Sequence, residues 1–301
     1  MGRNKVALII PYFGQWPEWF ELYLLSVAHN PLDVFFFTDC EILLEVPDNV
    51  HITQITFEDY CTLVSERLGF TFRPNNTYKL CDLKPFYGII HKDIVNEYEF
   101  WGFGDIDLIY GDMSLLLSPQ LLARYDFVST HSDRVSGHFA IMRTKSKYTS
   151  KCLDIPDWKS KLADSAHRNV DEADFTFEVY PEIRFAYKCY QAVRRIIRTT
   201  EMNSFLDKMN IPFCNRITKR IFKEYHTTPV PQKGQVWTWS PKTKQIITPD
   251  GTAIPYLHFL FFKENRYKHL QSHWNECEAK DHDYRIGTVN LSLSGIEVTG
   301  L

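Results

Sequence analysis

The sequence predicts an α/β protein with a mostly parallel central sheet flanked by helices. Short apolar runs alternate with segments of helical periodicity through the first half of the chain. This alternation is typical of β-α-β units, in which helices cover the faces of a parallel sheet. Three runs are predicted to be strands (KVALIIPYF, DVFFFTD and HITQITF), and two longer segments are predicted to be helices (PEWFELYLLSVAHN and EDYCTLVSERLGF).

These elements have recognisable start and stop signals. The first strand ends at the turn of Pro11, and the first helix begins at Pro17, because proline suits the first helical turn. That helix is predicted to stop at Asn30-Pro31. A further helix is predicted from about residue 82 to residue 96, just before the strand-like run EYEFWGFG.

The second half of the chain is less regular. PQLLARY predicts a short helix, DFVSTHS and GHFAIMR predict strands, and YLHFLFF is strand-like. A basic helical segment and a tryptophan pair, QVWTWSP, lie between them. No repeat, low-complexity tract or clear linker divides the sequence, so a single domain with a helical insertion is predicted.

Composition and charge limit the possible functions. The 301 residues are 44% hydrophobic and 24% charged, and the net charge of −3 gives no general case for nucleic-acid binding. Residues 181–225 are locally basic, with ten Lys and Arg against four Asp and Glu. This segment favours either peripheral contact with an anionic membrane or a pair of solvated amphipathic helices.

The cysteines and the N-terminus predict a compartment. Seven cysteines occur, an odd number, without the CxxC or Cys/His spacing of a zinc site. A reduced, cytoplasmic protein is therefore predicted, with a peripheral position at the inner face of the plasma membrane as a further option. The N-terminal apolar run is too short for a signal peptide, and no stretch approaches the roughly 18 apolar residues of a transmembrane helix.

Polar residues follow three of the predicted strands. Pro11-Tyr12, Thr38-Asp39 and the pair Asp105 and Asp107 each stand at the end of an apolar run. Ligands of such sheets bind beyond the carboxyl ends of the strands. These residues therefore predict one shared binding edge.

Asp105 and Asp107, in GDIDLIYGD, can chelate one divalent cation. An EF-hand loop is excluded, because its fifth, sixth and twelfth positions would be Ile109, Tyr110 and Leu116. A phosphatase of the haloacid dehalogenase type fits poorly, since its aspartate motif closes the first strand of the fold. The DxD motif of nucleotide-sugar glycosyltransferases fits the position, and a plain role in capping the following turn is the alternative.

A late histidine could complete this metal site. His258 lies in the strand-like segment YLHF, and Lys263 follows five residues later. Imidazole can complete a Mn²⁺ site that already has two carboxylates, and an ammonium group can neutralise a diphosphate. A buried histidine with a structural role is the alternative.

Taken in order, these segments resemble a GT-A glycosyltransferase of the bacterial polysaccharide type, the enzymes that build capsules, O-antigens and lipopolysaccharide. The resemblance is carried by IIPYFGQWPEWFELYLLSVAHNP, FFFTD, YKLCDLKPFYG, FWGFGDIDLIYGD, SGHFAIMR, VDEADF and YLHF. It implies a GT-A fold with a Rossmann-like sheet. Residues 1–112 would bind the nucleotide sugar, 113–265 would bind the acceptor with a helical insertion at 181–225, and 266–301 would form a C-terminal extension.

The resemblance also implies the donor and metal residues. Asp105, Asp107 and His258 would hold Mn²⁺ or Mg²⁺, which stabilises the departing nucleoside diphosphate. The role of Lys263 stays open, because its segment, HFLFFK, lacks the glycine of related enzymes. Asp82 would equally suit the first turn of a helix. The residues implied to bind the nucleotide sugar are Pro11, Tyr12, Thr38, Asp39, Lys79, Asp82, Lys84, Asp105 and Lys263.

Further positions are implied to serve the acceptor and the chemistry. Gly137 and His138 would line the acceptor side. Asp171 or Glu172 would act as general base if the reaction inverts the anomeric configuration, and would only bind sugar if it retains it. The pair Trp237 and Trp239 shares one face of an extended segment, where the two rings either stack on a sugar or pack in the core.

The function implied is transfer of a galactose- or glucose-type hexose from a UDP-sugar to a glycan or lipid-linked glycan in bacterial surface polysaccharide synthesis. A sugar nucleotidyltransferase stays open, although it usually has a glycine-rich loop after the first strand, where this chain has only Gly14. A non-catalytic carbohydrate-binding protein also stays open. It would explain the aromatic content of 15% but not the shared polar edge.

Overall fold

The computed structural model describes residues 5–182, 219–263 and 284–299. Strands in these ranges form three sheets, of seven, five and two strands. The strands are β1 (Val6–Pro11), β2 (Asp33–Thr38), β3 (Val50–Gln54), β4 (Phe100–Gly104), β5 (Leu108–Tyr110), β6 (Phe127–Ser129), β7 (Phe139–Arg143), β8 (Arg220–Phe222), β9 (Trp237–Ser240), β10 (Gln245–Ile247), β11 (Ala253–Ile254), β12 (Tyr256–His258), β13 (Thr288–Ser292) and β14 (Gly295–Thr299).

The central sheet is mostly parallel, in the order β3-β2-β1-β4-β7-β6-β8. Strand β1 pairs in parallel with β2 and with β4, β2 pairs in parallel with β3, and β6 pairs in parallel with β8. Only β7 is antiparallel to its neighbours β4 and β6 within this described sheet. The predicted α/β fold with a mostly parallel central sheet flanked by helices is confirmed.

The apolar sequence of β1, VALIIP, explains its central place. Every one of its residues is buried, as expected for a strand covered on both faces. Successive side chains point to opposite faces of a sheet. Ile9 accordingly packs into one core cluster, whereas Leu8 and Ile10 pack into the cluster on the other face.

Helix boundaries follow local capping signals. Helix α2 begins where the side chain of Thr56 accepts the Asp59 backbone N–H, and it ends at Gly69 in the left-handed conformation, with φ 66°. The helices are α1 (Phe20–Val27), α2 (Phe57–Leu68), α3 (Tyr87–Ile90), α4 (Lys92–Val95), α5 (Ser114–Leu117), α6 (Pro119–Arg124), α7 (Trp158–Ala163), α8 (Phe175–Val179) and α9 (Leu260–Lys263), with 3-10 helices at Thr77–Phe86 and Lys151–Asp154 and a π-helix at Val170–Asp174.

The helix predicted over about 82–96 has a different form. The chain makes the 3-10 helix Thr77–Phe86, followed by the short helices α3 and α4. Pro85 lies inside this 3-10 helix. Because proline lacks an N–H and clashes with the preceding turn, it prevents a continuous α-helix here.

A five-stranded antiparallel sheet, in the order β11-β10-β9-β13-β14, was not predicted. It joins residues from the proposed acceptor half to the proposed C-terminal extension, because β13 pairs with β9. The alternating sequence TVNLS and the following turn carried a signal for this hairpin. The division at residues 112 and 265 remains a prediction.

A separate two-stranded ladder joins the aspartate segment to the late histidine segment. Strand β12 runs antiparallel to β5, and His258 faces Leu108 across it. The ladder continues into the Phe259 N–H, which donates to the Asp107 carbonyl oxygen at 3.2 Å. Two segments far apart in the sequence are thereby fixed side by side.

The predicted basic helical segment at 181–225 falls largely on residues 183–218, which lie outside the described residues. The membrane contact predicted for it therefore remains a prediction. Among the described helices, none has the length and apolar character needed to cross a membrane.

Candidate metal and nucleotide-sugar site

A cavity of about 870 Å³ opens at one edge of the central sheet. Strands β1 and β4 end at this edge, and β7 begins there, so the edge is the one predicted from the polar strand ends. Eleven of the residues selected from the sequence line the cavity: Pro11, Tyr12, Lys84, Asp105, Asp107, Gly137, His138, Asp171, Glu172, His258 and Lys263.

Asp105, Asp107 and His258 form one cluster in this cavity. A ligand atom from each lies within 4.8 Å of the other two. The β5–β12 ladder holds His258 so that its Nε2 is 3.4 Å from Asp107 Oδ1. The three residues could hold a metal ion, since two carboxylates and an imidazole suit Mn²⁺.

Thr228 orients the imidazole of His258. Its Oγ1 lies 3.2 Å from His258 Nδ1 and 3.3 Å from Nε2 of His138. Burial, together with the neighbouring His258, holds the pKa of His138 well below its usual value, so His138 is neutral. The Thr228 hydroxyl thus bridges the two imidazoles. If His258 donates its Nδ1–H to Thr228, its Nε2 is available to coordinate a metal ion.

Two lysines balance the two aspartates. Lys84 Nζ donates to Asp105 Oδ1 at 2.5 Å and to the Gly137 carbonyl oxygen at 2.9 Å. Lys263 Nζ donates to Asp107 Oδ2 at 2.7 Å. Burial opposes ionisation of Asp107, but His258 and Lys263 outweigh it and lower the pKa of this carboxyl, which is ionised at neutral pH.

This charge pattern fits a divalent cation. Asp107 turns Oδ2 to Lys263 and Oδ1 to His258, so Oδ1 and the imidazole Nε2 face the same space. Asp105 likewise engages Lys84 through Oδ1 and keeps a second oxygen. Carboxylate oxygens and imidazole nitrogens are both common ligands of divalent metal ions.

Asp171 and Glu172 lie against Gly137. A Cβ at Gly137 would come 2.7 Å from Asp171 Oδ2, so this position requires glycine. Burial raises the pKa of Asp171 to about 7, although Lys84 at 3.6 Å opposes the shift. Glu172 is more open, with 32% of its side chain exposed, and its Oε1 accepts the Gly137 N–H at 3.2 Å. Both carboxyls border the cavity.

Lys79 and Asp82 do not reach the cavity, contrary to their implied contact with the nucleotide sugar. Both side chains are fully buried, and Lys79 Nζ lies 2.8 Å from Asp82 Oδ2. Lys79 also donates to two backbone carbonyl oxygens, and Asp82 accepts the N–H groups of Arg168 and Val170. The pair thus anchors the segment that leads to Asp171, since its hydrogen-bonding groups are already used within the protein.

Thr38 and Asp39 are also absent from the lining of this cavity. The buried Thr38 hydroxyl accepts the Cys40 N–H at 3.0 Å, and Asp39 Oδ1 accepts the Gly14 N–H at 2.8 Å. Gly14 has φ 111°, a conformation that favours glycine. Asp39 therefore fixes the turn after β1 rather than facing the cavity.

The two tryptophans pack in the core of the five-stranded sheet. Trp237 and Trp239 are 4% and 2% exposed, which leaves no ring face for a sugar. Trp239 Nε1 donates to the Tyr110 carbonyl oxygen at 3.0 Å, and Trp237 packs edge-on against Phe262. Of the two readings of this pair, the structure supports core packing.

Several lining residues were not selected from the sequence. Trp19 donates through Nε1 to the Ile106 carbonyl oxygen at 3.2 Å, and Lys263 Nζ lies 4.7 Å from the centre of its ring. Tyr78, His167 and Asn169 line the side near Glu172. Trp19 and Tyr78 lie inside the segments IIPYFGQWPEWFELYLLSVAHNP and YKLCDLKPFYG that carried the resemblance, and Asn169 directly precedes VDEADF, so these segments held the signal that could have found them.

Comparisons with known proteins give a family match over most of the chain. The sequence model of DUF6625, described as a family of unknown function, matches residues 8–288. No curated protein matches the sequence. Among solved structures, the glycosyltransferase GlyE of Streptococcus pneumoniae TIGR4 is similar over 70% of this chain and 53% of that chain, with 11% identity and a TM-score of 0.31. The matched part is thus about half of that chain.

Proposed function

The chain belongs to the DUF6625 family, a family of unknown function, and we propose that it is a metal-dependent glycosyltransferase. In this proposal it moves a galactose- or glucose-type hexose from a UDP-sugar to a glycan or lipid-linked glycan. The pathway is synthesis of a bacterial surface polysaccharide. The metal is Mn²⁺ or Mg²⁺.

One observation carries the proposal: the cluster of Asp105, Asp107 and His258 is flanked by Lys84 and Lys263 in one cavity. A nucleoside diphosphate brings several negative charges to its site. Two ammonium groups beside a metal-binding cluster can balance these charges. The cavity also lies beyond the carboxyl ends of parallel strands, where nucleotides bind in such sheets.

The residues divide into roles by position. Asp105, Asp107 and His258 would hold the divalent ion, which would supply Lewis-acid stabilisation of the leaving diphosphate. Lys84 and Lys263 add positive charge beside the same carboxylates, where the diphosphate departs. Asp171, whose pKa is raised to about 7, accepts the proton of the acceptor hydroxyl.

The nucleoside lies at the β1 end of the cavity in this proposal. Tyr12 and Trp19 border that end, and both rings are partly exposed. Their faces suit stacking on a base. This placement supports a nucleotide rather than a second sugar on that side.

Incubation with Mn²⁺ and separate UDP, GDP, CMP and dTDP sugars tests the proposal. We expect a thermal shift with a UDP-hexose and Mn²⁺, and slow hydrolysis of that donor when no acceptor is present. EDTA should abolish both effects. Absence of binding and turnover with every donor would contradict the transferase and favour a carbohydrate-binding protein. Pyrophosphate-dependent exchange would favour a nucleotidyltransferase.

The acceptor proposal includes a lipid-linked glycan at the inner face of the plasma membrane. The excess of Lys and Arg over residues 181–225 supports it through attraction to anionic lipid. Co-sedimentation with vesicles of phosphatidylglycerol and phosphatidylcholine tests this contact. Binding that requires the anionic lipid and weakens in high salt is expected. Equal recovery with neutral vesicles would contradict it.

A further inference from the structure

Tyr78 is an exposed aromatic residue on the wall of the cavity. Its side chain is 63% exposed, and it lines the same cavity as the metal-binding cluster. On the wall of a cavity, an exposed aromatic ring offers a flat apolar face to a ligand. None of the roles assigned above uses Tyr78.

The backbone under Tyr78 is firmly held. The next residue, Lys79, is fully buried and bonded to Asp82 and to the carbonyl oxygens of Lys161 and Ala166. The ring of Tyr78 meets the ring of His167 edge-on, with centroids 4.9 Å apart and planes at 64°. The Tyr78 ring is therefore pre-organised for binding, because the neighbouring Lys79 holds its backbone and His167 contacts its ring.

Tyr78 lines the same cavity as Asp105 and Asp171. Partial burial raises the pKa of Tyr78, and the neighbouring Cys81 adds to the shift. Lys84 lowers this pKa, while Asp105 and Asp171 raise it.

Tyr78 belongs to the part of the cavity wall that carries the candidate base. The 3-10 helix Thr77–Phe86 packs against the π-helix Val170–Asp174, whose Asp171 lies against Gly137. Tyr12, by contrast, directly follows β1, and Asp105 directly follows the neighbouring β4. Tyr78 is therefore grouped with the candidate base, and Tyr12 with the end of β1.

We propose that Tyr78 and His167 form an acceptor-sugar subsite, with Tyr78 stacking on the apolar face of a pyranose ring and His167 and Asn169 facing its hydroxyl groups. This inference rests on the proposed transferase activity and extends it to the acceptor. An acceptor seated here places a hydroxyl beside Asp171 and Glu172. A saccharide suits this end because one aromatic plane is combined with short polar side chains.

A second metal ion is a weaker explanation of the same region. Asp82, His167 and Asp171 also place ligand atoms within 4.8 Å of one another. However, Asp82 Oδ2 accepts the Arg168 N–H and lies 2.8 Å from the Lys79 ammonium, and Asp82 Oδ1 accepts the Val170 N–H. Both oxygens of this fully buried carboxylate are thus already used by the protein, which favours a neutral ligand in this region instead.

Ligand-observed NMR on the full chain tests the subsite directly. The probes are methyl β-galactoside, methyl α-glucoside and N-acetylglucosamine, each with and without Mn²⁺ and UDP. We expect saturation transfer from the wild type and from Tyr78→Phe, and at least about tenfold weaker binding by Tyr78→Ala, as loss of one aromatic contact predicts. Leu153→Ala, which trims an exposed residue outside the cavity, is the control.

Two results would overturn the subsite: no probe binds the wild type, or Tyr78→Ala binds the probes as the wild type does. A second Mn²⁺ equivalent that is lost in His167→Ala would also overturn it, in favour of a metal site.

The UDP thermal shift distinguishes failure of the subsite from failure of the transferase proposal. Wild-type and Tyr78→Ala proteins should show the same Mn²⁺-dependent UDP shift and donor hydrolysis, and only transfer to sugars should fail. Glycoside binding without any UDP shift would reject the transferase while keeping the sugar subsite.

Discussion

His258 Nε2 lies 3.4 Å from Asp107 Oδ1, although the two residues are 151 positions apart in the sequence. The β5–β12 ladder sets this separation through the pairing of His258 with Leu108. The ladder ends at the Phe259 N–H, which donates to the Asp107 carbonyl oxygen. The candidate metal cluster is thus built into backbone pairing and does not depend on a flexible loop to assemble.

Replacement of Asp107 should remove metal binding without unfolding the protein. We expect Asp107→Ala to bind Mn²⁺ at least about tenfold more weakly. Replacing a residue that only orients a metal ligand already lowers metal affinity by about that factor. Donor hydrolysis should fall below detection. Calorimetric titration with Mn²⁺ and circular dichroism measure the two properties.

Asp154→Asn provides the matched control for that experiment, since Asp154 is 54% exposed and lies outside the cavity. It should bind Mn²⁺ as the wild type does. Near-normal turnover by Asp107→Ala would refute the metal assignment.

Thr228 should act on the metal through His258. Thr228→Val removes the hydroxyl between His258 Nδ1 and His138 Nε2 and keeps a similar volume. We expect Mn²⁺ affinity to fall by about 10- to 100-fold, and Thr228→Ser to restore most of it, because the serine keeps the hydroxyl. ¹H–¹⁵N NMR of the His258 ring should report a change of tautomer in the valine variant alone. Equal Mn²⁺ affinity in both variants would show that Thr228 only fills space.

The main sheet and the binding edge could be predicted because their signals are local. The apolar runs of β1 and β4 need burial on both faces, and polar residues directly follow them. Strand ends that meet at one edge of a parallel sheet then place Tyr12 and Asp105 together without further information.

The roles of Lys79, Thr228 and the tryptophans could not be predicted in the same way. In YKLCDLKP, Lys79 and Lys84 have the same chemistry and both are buried, and only the turn of the 3-10 helix directs one to Asp82 and the other to Asp105. Thr228 lies between His138, just before β7, and His258 of β12, a contact that no sequence spacing encodes. Trp239 alternates as a sugar-facing residue would, but its ring is buried in an apolar cluster that includes Ile109 and Leu257.

Lys79 and Lys84 should therefore differ sharply when each is replaced by methionine. Lys79→Met leaves the buried Asp82 carboxylate without its ammonium partner, so we expect a loss of about 3–5 kcal/mol in the free energy of unfolding. The UDP affinity of the folded protein should be unchanged. Lys84→Met should instead weaken UDP binding by at least about tenfold, since a charged hydrogen bond near the diphosphate is lost.

Urea unfolding and UDP titration at one Mn²⁺ concentration separate these two effects. Weakened UDP binding in a fully folded Lys79→Met variant would show that Lys79 contributes to donor binding. A Lys84→Met variant with wild-type UDP affinity would remove Lys84 from it.

Asp171 predicts the pH dependence of transfer. Burial raises its pKa to about 7, and a general base works only when deprotonated. The rate with saturating donor should therefore fall as the pH drops below about 7 and level off above it. Asp171→Asn should abolish this step and lower kcat by about 10²–10⁴-fold.

Glu172→Gln serves as the comparison, because Glu172 borders the same cavity and contacts the same glycine. Glu172→Gln should still show the fall in rate below about pH 7, and its main effect should be a higher KM for the acceptor. A pH step that persists in Asp171→Asn and vanishes in Glu172→Gln would reverse the two assignments.

His91 predicts a loss of stability in acid that is independent of the site. The His91 ring is buried. The Tyr60 hydroxyl lies 2.9 Å from His91 Nε2, and the ring centres of Phe37 and His91 are 4.1 Å apart. Burial, aided by Arg67, lowers the pKa of His91 to about 3. The unfolded chain binds this proton near pH 6.5, so protons favour unfolding between the two values. We expect the free energy of unfolding to fall by about 1.4 kcal/mol per pH unit below about pH 6.5 because of this group.

Urea unfolding at pH 7 and pH 5 measures the change in stability, and His91→Gln should reduce that change by the amount expected for one histidine. His226→Asn, which removes an exposed histidine, should leave the slope as in the wild type. Parallel pH profiles for the wild type and His91→Gln would show that the acid sensitivity arises elsewhere.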